Sequence, residues 1–271
     1  MRVDVRQSAL SSVGSLPFAI KANVCKGGEW LVPPKDDVQE CDCVVVDESG
    51  YGCGEGCINR ALRYECVVER CPCGLQCTNR QMQLGSTVAI GVIDCSRRGV
   101  GVVALEAVDA EQFIGEYVGE VISSREACQR AKLYQHADHW YMLQASAEQV
   151  IDATCVGGRM RFVNHSCQPN CREEKWCVRG HERCGLFATR QIGAGEELTF
   201  DYQFHAADGA RAIECLCGSQ KCRGEIGVRK RPRSDQEVAT YSNLSAPIPH
   251  SAISTPRPHK RMRQLTMDSF L

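Results

Sequence analysis

Eight cysteines fall within 37 residues of this chain, at positions 41, 43, 53, 57, 66, 71, 73 and 77. The surrounding stretch, 36–84, is poor in aliphatic residues, so apolar burial alone cannot hold it together. Disulfides are one substitute for a core. They belong to oxidising compartments, and the opening run from Met1 to Lys21 lacks the compact apolar centre of a secretory signal. It is Ser-containing and acid-poor, as transit peptides are, but holds few arginines. The cysteine total, 19, is odd, which fits pairing poorly. A metal fits better, because thiols one to four residues apart can converge tetrahedrally on zinc. Cys41 and Cys43, Cys53 and Cys57, and Cys71, Cys73 and Cys77 have that spacing. Structural zinc contributes about 10–16 kcal/mol per site in small peptides, enough to stand in for a core. A set of unpaired buried thiols is the remaining alternative, and eight so close together argue against it.

Around this cluster the chain divides by composition. Residues 1–35 form a flank without clear periodicity, and 36–86 hold the cluster. From 87 to 204 the text reads as a strand-rich domain. Thr87–Ile93 and Phe113–Ile122 are rich in β-branched and apolar residues with Gly interruptions. Gly99 and Gly101 mark a close backbone turn between them. Ser123 and Glu126 have capping-box spacing, and Ala127, Ala131 and Tyr134 follow on one face, which predicts a helix over 124–136. Short strands are expected at 140–144, 149–153, 176–179 and 184–190. A third group of thiols, Cys215, Cys217 and Cys222, marks 211–227. Residues 228–271 contain no Gly or Cys, and eight Lys and Arg against three acids. That composition predicts a disordered basic tail. The rest of the chain then holds 24 basic and 30 acidic residues, which favours a basic substrate or partner. No apolar run approaches the ~20 residues of a membrane span, so no membrane partner is expected.

The run Arg161-Phe-Val-Asn-His165-Ser-Cys-Gln-Pro-Asn170 is polar and aperiodic inside the domain, and offers Asn164 and His165 to a buried polar ligand. Alone, the pair reads equally well as a satisfied structural contact. It is followed by Glu196-Glu-Leu-Thr-Phe-Asp201-Tyr202 and by a Cys-x-Cys-x4-Cys group. Together with Arg98-Gly-Val-Gly101, Glu116-Tyr-Val-Gly-Glu120 and His139-Trp-Tyr141, in this order, these segments resemble the SET-domain protein lysine methyltransferases. The resemblance covers about residues 38–227. It implies a mostly β (α+β) fold: small β-sheets with a threaded loop, flanked by zinc-binding modules. The run from Gly52 to Arg80 is similar to the AWS module that precedes SET in enzymes of the histone H3 lysine 36 class, and in particular to its Ash-like members.

The resemblance also implies the ligands and cofactors. In the AWS module seven thiols would hold two zinc ions: Cys41, Cys43, Cys53 and Cys57 on one, and Cys53, Cys66, Cys71 and Cys77 on the other, with Cys73 spare. A post-SET module at 211–227 would hold a third zinc through Cys215, Cys217, Cys222 and, from the Asn-His-Ser-Cys motif, Cys167. The cofactor would be S-adenosyl-L-methionine, bound by Arg98, Gly99, Val100, Gly101, His139, Trp140, Tyr141, Arg161, Asn164 and His165. Val100 stands where the family usually has an aromatic residue. Tyr202 matches the catalytic tyrosine, with Tyr141 in the channel wall. Phe204 falls where product state is tuned, and a Phe there implies at least dimethylation.

The implied substrate is histone H3 in nucleosomes, most specifically at lysine 36, and the implied location is the nucleus. Arg229-Lys-Arg-Pro-Arg233 and Arg257 to Arg263 are basic clusters of localisation type that would equally make nonspecific DNA contacts. The last eight residues are similar to a PIP box, the peptide that binds the sliding clamp PCNA. Residues three apart fall on one face of a 3₁₀ turn, which groups Met267 and Phe270 with Leu271 beside them, while Gln264 provides the polar contact. A chance match is the alternative. Two other functions compete with the enzyme: a catalytically weak SET-fold chromatin adaptor, and a zinc-stabilised nucleic-acid-binding protein; for the enzyme itself, a lysine of another histone or of a non-histone protein is the alternative target.

Overall fold

Short runs of alternating or continuous apolar residues build this chain into many small strands. The structure, a computed structural model, describes residues 19–25, 38, 40–45, 50–134, 140–203 and 213–226. Its strands are β1 (Val24–Cys25), β2 (Ile90–Asp94), β3 (Val100–Ala104), β4 (Phe113–Tyr117), β5 (Gly119–Ser123), β6 (Met142–Gln144) and β7 (Gln149–Gly157). There follow β8 (Asn164–His165), β9 (Cys171–Val178), β10 (His181–Ala188), β11 (Glu197–Phe200), β12 (Ile213–Glu214) and β13 (Glu225–Ile226). The helices are α1 (Ile58–Ala61), α2 (Gln81–Leu84) and α3 (Ser124–Tyr134). The mostly β class with few helices is as expected.

The strands form separate small sheets in the orders β1-β5-β7-β6, β4-β10-β9, β2-β3-β11-β8 and the ribbon β12-β13. Their inner faces meet in one core that includes Val102, Val108, Ile114, Ile151, Leu186, Ile192 and Leu198. The expected strand over 113–122 is two strands. Gly119 sits so close to β7 that an added Cβ would lie 2.6 Å from the Asp152 carbonyl oxygen. The register shifts there, and the chain passes from the sheet of β10 to the sheet of β7. The short strand expected at 176–179 is the longer β9. Its Arg-Glu-Glu-Lys run hides the alternation that buries Glu174, Trp176 and Val178. Arg179 and Gly180, both with positive φ, turn β9 into β10 in a two-residue hairpin loop.

One local signal holds as written. The Ser123 hydroxyl accepts from the Glu126 amide at 3.1 Å, capping α3. Further along α3, Arg130 bonds Glu126, Glu120 and Asp152. The N-terminal flank contributes more than its sequence suggests. β1 pairs in parallel with β5, and Asn23 accepts from the Gly119 amide at 3.0 Å.

The cysteine-rich module is fastened to β9. The Glu65 amide donates to the Cys177 carbonyl and the Cys177 amide to the Arg63 carbonyl. The buried Glu65 carboxylate then accepts the amides of Met82 and Gln83 at the start of α2. Through Met82 this brings α2 onto Phe113, Trp176, Val178 and Phe187. Glu65→Ala leaves those buried donors unpaired, and a lost buried acceptor costs about 2 kcal/mol. Chemical denaturation is expected to show that loss, with Glu65→Gln losing less. An unchanged midpoint for Glu65→Ala would contradict the role given to this carboxylate.

Candidate functional site

Three sets of cysteine sulfurs converge. Those of Cys41, Cys53, Cys57 and Cys66 all lie within 4.8 Å of one another, as do those of Cys53, Cys66, Cys71 and Cys77, and those of Cys167, Cys215, Cys217 and Cys222. Individual separations are 3.6 Å for Cys41–Cys53, 3.4 Å for Cys53–Cys71, 3.9 Å for Cys57–Cys66 and 3.7 Å for Cys167–Cys215. Four thiolates at about 2.3 Å from zinc stand roughly 3.8 Å apart, so this donor set fits zinc. Cys66 joins Cys41, Cys53 and Cys57 in the first of these sets, where Cys43 was expected. Cys43 belongs to neither quartet and borders the cluster, with its thiol against those of Cys57, Cys41 and Cys53. Cys73, expected to be spare, is also outside both quartets, 3.7 Å from Cys53. At the third set, burial opposes ionisation of Cys217, but hydrogen bonds from the Cys167 backbone and Ser219 bring its thiol down to about 6. A thiol so lowered is prepared to bind metal.

The third set ties the C-terminal ribbon to the segment carrying Asn164 and His165. The Arg223 amide donates to the Cys167 sulfur at 3.3 Å, and its guanidinium to Asp201 at 2.8 Å. β8 pairs in parallel with β11, setting Asn164 beside Thr199 and His165 beside Phe200. His165 is buried, and its Nδ1 accepts the Tyr202 amide at 3.2 Å. Burial, reinforced by Arg223, holds the imidazole below its ordinary pKa against the pull of Asp201. A neutral ring with Nδ1 as acceptor follows.

The glycine turn is anchored to the same strand. Asn164 donates to the Val100 carbonyl at 3.1 Å and to Glu197 at 3.0 Å. Arg98 holds both oxygens of Glu197, at 2.9 and 2.8 Å. Gly99 has a φ of 71°, a conformation that favours glycine. At Gly101 a Cβ would lie 2.4 Å from the Cys95 sulfur and 3.0 Å from the Asn164 amide nitrogen. Its missing side chain therefore admits Asn164. The Asn164 and Arg98 side chains are committed to holding the turn.

Tyr202 is buried, and its hydroxyl donates to the Val163 carbonyl at 3.0 Å. Burial pushes the phenol well above its ordinary pKa, with Tyr117 and Tyr141 adding to the effect. It therefore stays protonated, with oxygen lone pairs free to accept. Tyr117 was not singled out in the sequence. It closes β4 inside the Glu-Tyr-Val-Gly-Glu motif, where apolar alternation alone reads it as core. Tyr141 packs edge-on against Phe162 at 5.6 Å. The Arg161 guanidinium lies 5.8 Å from the Tyr141 ring centre and 4.7 Å from that of Phe162, and its buried Nε has no hydrogen-bond partner among the described residues. A buried, unfilled donor beside this tyrosine cluster suits a polar ligand such as a nucleoside cofactor. Trp140 faces elsewhere, packed with Ile122, Ala127, Met142 and Val150. His139, Phe204, Gln264, Met267, Phe270 and Leu271 lie outside the described residues.

A cavity of about 280 Å³ opens beside Tyr202, lined also by Phe200, Asp201, Gln203, Leu143 and Glu173. Among the described residues no helix is long and apolar enough to cross a membrane.

Comparison with known proteins agrees with this geometry. Residues 99–203 match the family model described as the SET domain, and residues 47–84 the one described as the AWS domain. The chain is 41% identical over 200 residues to "Histone-lysine N-methyltransferase ASHH1" of Arabidopsis thaliana, covering 73% of this chain and 40% of that protein. It is 41% identical over 199 residues to "Histone-lysine N-methyltransferase SETD2" of Homo sapiens, covering 71% of this chain and 8% of that protein. It is 37% identical over 206 residues to "Histone-lysine N-methyltransferase, H3 lysine-36 specific" of Homo sapiens, covering 75% and 8%. The chain thus spans well under two thirds of the length of these relatives.

Proposed function

For a chain that carries an AWS domain followed by a SET domain, we propose S-adenosyl-L-methionine-dependent methyl transfer to a histone lysine, lysine 36 of histone H3 in nucleosomes. The observation that carries this reading is Tyr202. A protonated phenol, fixed by its bond to the Val163 carbonyl, lies at the wall of a cavity wide enough for an alkyl chain. The cofactor supplies a methyl group on a sulfonium centre, which is the electrophile. The chain's own residues position the amine. A lysine ammonium has an ordinary pKa of about 10.4, and the positive sulfonium of a bound cofactor would disfavour its charged form. The Tyr202 oxygen accepts a hydrogen bond from the amine and so aims its lone pair, while Tyr117 and Tyr141 exclude water around it.

Arg98, Gly99, Val100, Gly101, His139, Trp140, Tyr141, Arg161, Asn164 and His165 make the cofactor site, chiefly through backbone groups and the free Arg161 Nε. Two zinc ions sharing Cys53 hold the AWS module, through Cys41, Cys43, Cys57, Cys66, Cys71 and Cys77. A third, on Cys167, Cys215, Cys217 and Cys222, holds the post-SET flap. Phe204 leaves room for a second methyl, so the product is at least dimethyl-lysine. The substrate places the protein in the nucleus, consistent with basic clusters that also suit nonspecific DNA contact. With nucleosomes and cofactor, mass spectrometry is expected to find dimethylated lysine 36. Tyr202→Phe should lower kcat by at least 100-fold, a loss of ~3 kcal/mol in the transition state, with cofactor binding nearly unchanged. Equal loss of both would make Tyr202 structural. Phe204→Tyr should shift the product toward monomethyl.

The C-terminal residues Gln264, Met267, Phe270 and Leu271 support recruitment to replicating chromatin through PCNA. Calorimetric titration of a 256–271 peptide into the clamp is expected to show micromolar binding, on the order expected of a segment that orders on contact. Substituting Met267 and Phe270 by Ala should abolish it. No binding by the native peptide, or equal binding by both, removes this partner and leaves the enzyme.

A further inference from the structure

The cavity beside Tyr202 holds a carboxylate with one oxygen that no hydrogen bond reaches among the described residues. On β9, Glu173 and Lys175 share the face that lines this cavity, while Glu174 and Trp176 face the other way. Glu174 is fully engaged, accepting from Arg172 and from the Trp176 indole at 2.8 Å. Asp201, also in the cavity wall, is held by Arg223 at 2.8 Å and by the Gln203 amide at 3.1 Å. Glu173 differs. Its Oε1 is, among the described residues, the one buried carboxylate oxygen with no hydrogen-bond partner. Leaving a buried acceptor unpaired costs more free energy than an ordinary hydrogen bond returns, so such an oxygen calls for an explanation. Burial raises the Glu173 pKa, while Lys175, the Cys184 thiol and Arg63 favour its ionised form. A carboxylate so poised gains most from a cation that enters with the substrate.

We propose that Glu173 determines substrate choice by charge, its carboxylate accepting a hydrogen bond from a cationic side chain that flanks the lysine being methylated. The proposal rests on reading the Tyr202 cavity as the lysine entrance. Neighbouring geometry favours a side chain over the target lysine itself. The target must reach Tyr202, whereas Glu173 is in the wall with exposed Lys175 at the rim. A peptide amide would satisfy the oxygen as well, but without dependence on flanking charge.

The test uses the full chain, saturating S-adenosyl-L-methionine, and two peptides. One has the histone H3 sequence centred on lysine 36; the other has each basic residue flanking that lysine replaced by Gln. The native chain is expected to prefer the first by about tenfold in kcat/KM, through KM, the scale of a charge-assisted hydrogen bond. Glu173→Gln should reduce the preference to under about twofold, and Glu173→Asp, which keeps the charge, should retain most of it. Equal use of both peptides by the native chain, or an unchanged preference in Glu173→Gln, overturns the proposal. Fluorescence anisotropy of the same peptides, with S-adenosylhomocysteine present, separates the two readings. If neither peptide is methylated, the catalytic assignment fails, and the ratio of binding affinities still decides Glu173. Absence of a charge preference in binding then overturns this proposal also.

Discussion

Convergence of buried sulfur is the constraint on which the rest of this structure depends. The thiols of Cys41, Cys53, Cys57, Cys66, Cys71 and Cys77 come from segments with few aliphatic side chains, and they pack against one another where a core would be. Without a common cation, ionised thiolates at 3.4–3.9 Å would repel strongly. With one, the same spacing is tetrahedral. The module then becomes rigid enough to present Arg63, Tyr64 and Glu65 to β9 as a fixed edge, and Glu65 can order α2 beneath it.

β9 links that constraint to chemistry. One of its faces packs through Trp176 and Val178 on Met82 of α2. The other puts Glu173 and Lys175 into the cavity beside Tyr202. The third sulfur set acts from the opposite side. Cys167 lies two residues beyond His165, and the ribbon bearing Cys215, Cys217 and Cys222 closes over it, with Arg223 reaching Asp201 and approaching His165 at 3.4 Å. The site is therefore assembled from both ends of the sequence, and each end is held by sulfur. Metal binding, folding and the site's geometry become one equilibrium in such an arrangement.

Much of this was legible in the sequence because it rests on local signals. Cysteine spacing announces the sulfur sets, Ser123 and Glu126 announce α3, and the Asn-His-Ser-Cys and Glu-Leu-Thr-Phe-Asp-Tyr runs announce the site. What stayed hidden depends on contacts between distant residues. Cys66 stands with Cys41, Cys53 and Cys57, a convergence that short loop spacing does not announce. Trp140 and Tyr141 are adjacent in sequence and face different clusters. Tyr117 reads as one more apolar strand residue until Tyr141 and Tyr202 are beside it. The charged run of β9 conceals both a strand and the difference between Glu174, whose two oxygens both accept hydrogen bonds, and Glu173, whose Oε1 accepts none among the described residues.

The most direct measurement is the metal content of the purified chain by elemental analysis, followed through stepwise chelation. The account predicts close to three zinc ions per chain. It also predicts that removing them exposes the Trp176 indole to solvent, seen as a red-shifted fluorescence, because the sulfur-held module covers β9. A chain that contains no zinc yet keeps its native fluorescence would contradict the central claim, and would leave the sulfur sets as buried thiols that hold nothing.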